Sequence, residues 1–152
     1  MPRVRWLDDV EMQAWRGFLR AYSRVLDRLD HELQAVQQLS VADYGVLVTL
    51  SEAADHRLRM TDLAERLDLS PSGLTRRIDR LVDGGLVQRV RCPEDRRGSY
   101  AVLSRRGLAR LEAAAPDHLE QVRRYFVDRL DRDELAALAA AFAVLASEPV
   151  HA

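Results

Sequence analysis

The stretch TDLAERLDLSPSGLTRRIDRLVDGG, residues 61–85, constrains this chain more than any other. Its apolar residues form two groups, Leu63, Ala64 and Leu67, then Leu74, Ile78 and Leu81. Each group repeats at three or four residues, the period of one helical face. Between the groups Ser70 precedes Pro71. A hydroxyl before a proline is a helix start, because proline has no N–H to waste and its φ is already helical. Gly84-Gly85 stops the second helix. Thr61 is expected to cap the first helix and Leu69 to end it, with Ala64 small where the two cross. Two short helices joined by a tight turn make a helix-turn-helix unit.

The flanking sequence extends that unit. LVQRVRC, a polar loop containing glycine, and SYAVL read as a β-hairpin. Helix-turn-helix plus hairpin is a winged helix-turn-helix arrangement, in a chain that is otherwise mainly α. Upstream, Trp15, Phe18, Leu19, Tyr22, Val25, Leu26, Leu29, Leu33 and Val36 trace one face of a long helix. Such a helix needs more surface to pack on than its own subunit offers. Asp8 or Asp9 is expected to cap it. Ser40 is the expected cap of the next helix, with Tyr44, Leu47, Val48 and Leu50 inward. Arg57-Leu58-Arg59-Met60 alternates like a very short strand. Ser104 caps a later helix in which Pro116 predicts a kink or break, because proline removes an internal hydrogen bond. Asp131 opens the last helix.

Charge is distributed unevenly along this frame. All 23 basic residues are arginine, and a GC-rich coding sequence explains that total as readily as function does. Position carries more information. Residues 57–110 hold 13 Arg against 7 acids, whereas residues 1–56 hold 6 against 9 and residues 111–152 hold 4 against 8. A basic middle between acidic ends predicts a local polyanion-binding surface. With Leu74, Ile78 and Leu81 inward, the second helix turns Ser72, Thr75, Arg76 and Asp79 outward. A helix fits the major groove of DNA and reads base edges from its N-terminal residues, so Arg76 is placed to donate two hydrogen bonds to a guanine. The hairpin tip, Arg96-Arg97, suits the negative minor groove. Asp95 stands close enough to orient one guanidinium, and Arg89 and Arg91 can track phosphates. The expected DNA-contacting set is therefore Ser70, Ser72, Thr75, Arg76, Arg77, Arg80, Arg89, Arg91, Asp95, Arg96 and Arg97.

Other chemistry has little footing. His31, His56, His118 and His151 lack metal-ligand spacing, so no metal or other cofactor is expected. No Gly-rich phosphate loop or Ser/His/Asp set is present, and an enzyme is not the expected reading. The single Cys92 cannot form an internal disulfide. No apolar run is long enough for a membrane span and no signal peptide precedes the first helix, so a cytoplasmic protein is expected.

The residues LAERLDLSPSGLTRRIDRLVDGGLVQR, the long first helix, the wing and the two closing helices together resemble the MarR transcriptional regulators. The family's wing pattern, Asp-x-Arg followed by Leu-Thr-x-x-Gly, is matched by Asp95, Arg97, Leu103, Ser104 and Gly107, with serine keeping the hydroxyl of the threonine. The resemblance implies one subunit over residues 1–152. Its winged DNA-binding region spans 40–107, and its dimerisation helices span 8–37 and 108–148. It implies a homodimer on palindromic double-stranded DNA, acting as a repressor, with release by a small aromatic or anionic effector. Trp15, Tyr22, Tyr44, His118 and Arg123 are the expected effector contacts. The competing reading is a helical dimer whose winged unit binds protein; the basic block argues against it.

Overall fold

The computed structural model describes residues 4–93, 95 and 98–147. In chain order these form α1 (Asp9–Gln37), α2 (Val41–Ser51), β1 (Arg57–Arg59), α3 (Met60–Arg66), α4 (Pro71–Asp83), β2 (Val87–Arg91), β3 (Ser99–Leu103), α5 (Arg105–Tyr125) and α6 (Arg132–Ser147). Short 3-10 turns follow α2 and α5. The chain is mainly helical with one small sheet, as expected. It divides into two compact units, Asp30–His118 and a unit built from the two terminal segments.

The central unit owes its shape to one apolar cluster. Leu33, Leu47, Leu50, Leu63, Leu74 and Ile78 are fully buried in it. Removing a leucine-sized side chain from water is worth about 1.5–3 kcal/mol. Val46 is fully buried too, so α2 is covered on more sides than a single amphipathic stripe predicts. Polar caps set where each helix begins. Ser40 Oγ accepts the Asp43 N–H at 3.0 Å and Ser70 Oγ accepts the Gly73 N–H at 3.2 Å. At the other end of α4, Gly85 adopts φ +71°, and Leu86 N–H returns to the Leu81 carbonyl at 2.9 Å. This is a Schellman stop, where glycine avoids the steric cost of a left-handed residue. The turn after α3 uses the same bonding without glycine. Asp68 takes φ 51° and Leu69 N–H reaches the Ala64 carbonyl at 2.9 Å.

The sheet contains one more strand than a hairpin. Its order is β1-β3-β2, and both pairings are antiparallel. Arg59 therefore lies opposite Tyr100, and Arg91 opposite Ser99.

Two sequence expectations need correction. Thr61 does not cap α3. The extended Arg59 feeds directly into a helix that starts at Met60, with no side-chain cap, and the Thr61 hydroxyl bonds Asp62 instead. Pro116 does not break α5, which runs through it to Tyr125. The bond that proline deletes would end on the Glu112 carbonyl. Both residues are exposed, so water can solvate the freed carbonyl.

In the terminal unit, Asp8 Oδ1 accepts Glu11 N–H while Glu11 Oε2 accepts Asp8 N–H, a reciprocal capping box. Asp131 and Glu134 repeat the device before α6. Despite its apolar sequence, α6 has no buried residue. The Trp15, Phe18 and Tyr22 rings line up along α1, and Phe18 meets Phe142 of α6 at 6.4 Å between centroids. An open apolar groove of about 750 Å³ lies between them, lined by Val10, Phe18, Tyr22 and Leu26 on one side and Leu138 and Phe142 on the other.

The junction of wing and α5 offers a local test. Ser104 Oγ donates to the Gly85 carbonyl at 2.7 Å and accepts the Gly107 N–H at 2.9 Å. A Cβ on Gly107 would run into the Leu86 carbonyl and lie 2.7 Å from Leu103 Cδ1. Gly107→Ala should cost about 1–3 kcal/mol in urea denaturation, as overpacking does. Gly45→Ala meets nothing within 4 Å and should instead gain about 0.5–1 kcal/mol from helix propensity.

Candidate nucleic-acid interface

The outer face of α4 follows from its inner one. With Leu74, Ile78 and Leu81 buried, Ser72, Arg76, Asp79 and Arg80 stand exposed and Thr75 and Arg77 half-buried. Ser70 spends its oxygen on the cap and lies 3.4 Å from the Ser72 hydroxyl. The Thr75 hydroxyl donates to the Pro71 carbonyl at 2.9 Å. Thr75 can still accept a hydrogen bond there, but donating to a phosphate would break the bond to Pro71. Arg76 projects freely enough to form a bidentate contact.

The other arginines are tied into the protein to different degrees. Arg77 Nη1 binds Asp43 Oδ1 at 2.9 Å, with side-chain exposures of only 22% and 16%. Arg80 reaches the same oxygen at 3.4 Å but is 60% exposed. On β2, Arg89 pairs with Asp79 of α4 at 3.2 Å, which joins the wing to the recognition helix. Arg91 is exposed on the same strand face, two residues on.

In the loop of the wing, Asp95 Oδ2 lies 3.9 Å from Arg59 Nη1. Arg59 Nη2 donates to the buried Cys92 Sγ at 3.4 Å, and Arg57 and Arg59 both lie over the Tyr100 ring. Asp95 thus faces a guanidinium far away in sequence, brought there by the β1–β3 pairing. Arg96 and Arg97 lie outside the described residues. The reading of the sequence alone missed Asp43, Arg57 and Arg59 as parts of this surface. Two arginines in an alternating segment were the available signal for β1; nothing local marks Asp43.

The expected effector contacts fall into two groups. Trp15 and Tyr22 are exposed in the terminal unit, where Arg123 pairs with Asp128 at 2.8 Å. Tyr44 and His118 meet in the central unit with ring centroids 4.4 Å apart. Burial pushes the Tyr44 hydroxyl above its usual pKa and the His118 imidazole below its own. The buried His118 Nδ1 has no hydrogen-bond partner among the described residues, which favours a neutral ring. The sign follows: a depressed histidine pKa means the unfolded chain binds the proton more tightly. The stability contributed by neutral His118 is complete above about pH 6.5 and is lost as pH falls from there through the lower folded-state value. His118→Phe should therefore lose less thermal stability than the parent protein between about pH 7.5 and about pH 5.5, measured by calorimetry.

Among the described residues no group of three or more His, Cys, Asp or Glu is arranged to hold a metal, and no helix is long and apolar enough to cross a membrane. The MarR family profile matches residues 37–98. The HTH-type transcriptional repressor YetL of Bacillus subtilis is 31% identical over 112 residues, spanning 70% of this chain and 67% of that protein. AbsC, a MarR family transcriptional regulator from Streptomyces coelicolor, is 40% identical with a TM-score of 0.87, over 94% of this chain and 96% of AbsC. Sco3205, another MarR family regulator from Streptomyces coelicolor, was solved in complex with DNA. It is 35% identical with a TM-score of 0.92, over 98% of this chain and 95% of Sco3205. On this evidence the chain belongs to the MarR family of transcriptional regulators.

Proposed function

We propose that the protein is a homodimeric, sequence-specific repressor that binds palindromic double-stranded DNA. The observation that carries this reading is the outward face of α4. It presents Ser72 and Arg76 to solvent in a fold shared along the chain with Sco3205, whose structure contains DNA. In this reading Arg76 reads a base, Ser70, Ser72 and Thr75 meet phosphate or base edges at the start of α4, and Arg91 tracks the backbone. Arg80 and Arg89 join them from their ion pairs, and Arg96 and Arg97, outside the described residues, are added from the sequence alone. A repressor's role is supported by the likeness to YetL.

The dimer is supported by what the isolated chain leaves uncovered. Phe18 stays 44% exposed and Phe142 40%, and α6 buries nothing. A second copy packed on the groove between α1 and α6 would cover these side chains, and a two-fold pair of α4 helices would match two half-sites. An aromatic, anionic effector that lowers DNA affinity completes the proposal. In the terminal unit its candidate contacts are Trp15, Tyr22 and Arg123, the last of which would have to leave Asp128; in the central unit they are Tyr44 and His118.

Three measurements test this reading. Affinity for a selected palindromic duplex should fall ~10³–10⁵-fold between roughly 50 and 200 mM salt if ~6–10 phosphates are neutralised; a flat response would refute it. Arg76→Ala should cost about 1–3 kcal/mol of binding and relax preference at one base in each half-site, read by selection from randomised duplexes. Sedimentation at low micromolar concentration should give a dimer, and Phe18→Glu should give monomer or aggregate.

A further inference from the structure

We infer that Asp43 is a positioning residue for the recognition helix: it withholds Arg77 from phosphate and holds α4 at the rotation that presents Ser72 and Arg76. The inference rests on the DNA-binding reading above.

Asp43 lies in the first turn of α2, and that turn is anchored from two sides. Asp30 Oδ1 accepts the Val41 N–H at 2.9 Å, and Ser40 Oγ accepts that of Asp43 at 3.0 Å. From this fixed point the Asp43 carboxylate reaches across to α4. It takes Arg77 Nη1 at 2.9 Å and Arg80 Nη2 at 3.4 Å on the same oxygen. Among the described residues the buried Arg77 Nε has no hydrogen-bond partner, and the bond through Nη1 to Asp43 holds this guanidinium. Both side chains of the pair are largely shielded, and salt screens such a pair less than an exposed one. Arg77 is thus a cation removed from the surface that meets DNA. Arg80, longer-bonded and exposed, is shared between Asp43 and solvent.

The position of Arg77 also fixes α4 in rotation. Arg77 lies between Arg76, which faces outward, and Ile78, which is fully buried. Successive helical residues are turned by about 100°. Holding Arg77 against α2 therefore holds Arg76 and Ser72 at one orientation. The acid has a second consequence for selectivity. Sequence-independent affinity grows with every arginine that reaches a phosphate, whereas base reading does not. Asp43 lowers the first and, by holding α4 through Arg77, supports the second.

The test measures fluorescence anisotropy of labelled duplexes, one a palindrome selected from random sequence and one scrambled, across a salt series. Asp43→Asn, an isosteric change, should bind the scrambled duplex more tightly. Its log affinity against log salt should steepen by about 0.9 for each arginine that gains a phosphate. Its preference for the palindrome should narrow. Arg77→Met should keep the parent slope on both duplexes, because Arg77 is no phosphate contact in the parent. A slope for Asp43→Asn equal to or shallower than the parent's overturns the inference. So does a slope for Arg77→Met shallower by about 0.9 for each bound subunit. Should Asp43→Asn fail to fold by circular dichroism, the Arg77→Met slope decides alone. A parent protein that binds neither duplex at low salt overturns the DNA-binding reading, and the inference with it. A parent that binds, with an unchanged Asp43→Asn slope, overturns the inference only.

Discussion

The packing of one helical face governs the central unit. Leu74, Ile78 and Leu81 of α4 are buried with Leu47 and Leu50 of α2 and Leu63 of α3. Because a helix has one rotation about its axis, burying those three residues also determines which residues point away. Ser72, Arg76 and Asp79 are solvent-facing as a geometric consequence of where Leu74, Ile78 and Leu81 went. The Schellman turns at Asp68 and Gly85 then end each of the two helices of the helix-turn-helix, and Ser104 ties the wing to the Gly85 carbonyl. Apolar burial supplies the driving force, and a few backbone bonds supply the geometry.

Charge on this surface is arranged as much by acids as by arginines. Asp43 takes Arg77 and shares Arg80; Asp79 takes Arg89; Asp95 faces Arg59. Each exposed pair alone contributes little to stability, since surface ion pairs are worth about 0–1 kcal/mol. Their effect on recognition is larger, because an arginine held by an acid is oriented and partly neutralised. A run of thirteen arginines over residues 57–110 therefore overstates the charge available to a polyanion.

The terminal segments follow a different logic. The capping boxes at Asp8–Glu11 and Asp131–Glu134 are satisfied within the chain, so α1 and α6 have well-defined starts. Their apolar side chains are not equally satisfied. Trp15, Phe18, Tyr22, Phe142 and Leu145 all remain exposed. The helix starts are capped where apolar burial is incomplete. In the proposed dimer, that uncovered surface is the part of the chain that folding alone does not use.

Local chemistry carried most of the fold into the sequence. Ser40, Ser70, Ser104 and Asp131 announce helix starts because a side-chain oxygen caps orphan N–H groups within three residues. Gly84-Gly85 announces a stop because glycine takes the left-handed φ of Gly85 without steric cost. The apolar period of α4 and the alternation of the wing strands depend only on neighbours along the chain. What tertiary structure decided involves partners far apart in sequence. Arg57–Arg59 became an edge strand only by pairing with β3, and Asp95 met Arg59 only through that pairing. Arg77 found Asp43 across 34 positions. Pro116 was absorbed into a helix because its lost bond faces water. Periodicity and caps report short-range energies, which are written residue by residue. The pairing of charges depends on which surfaces the core brings together, and no local pattern encodes that.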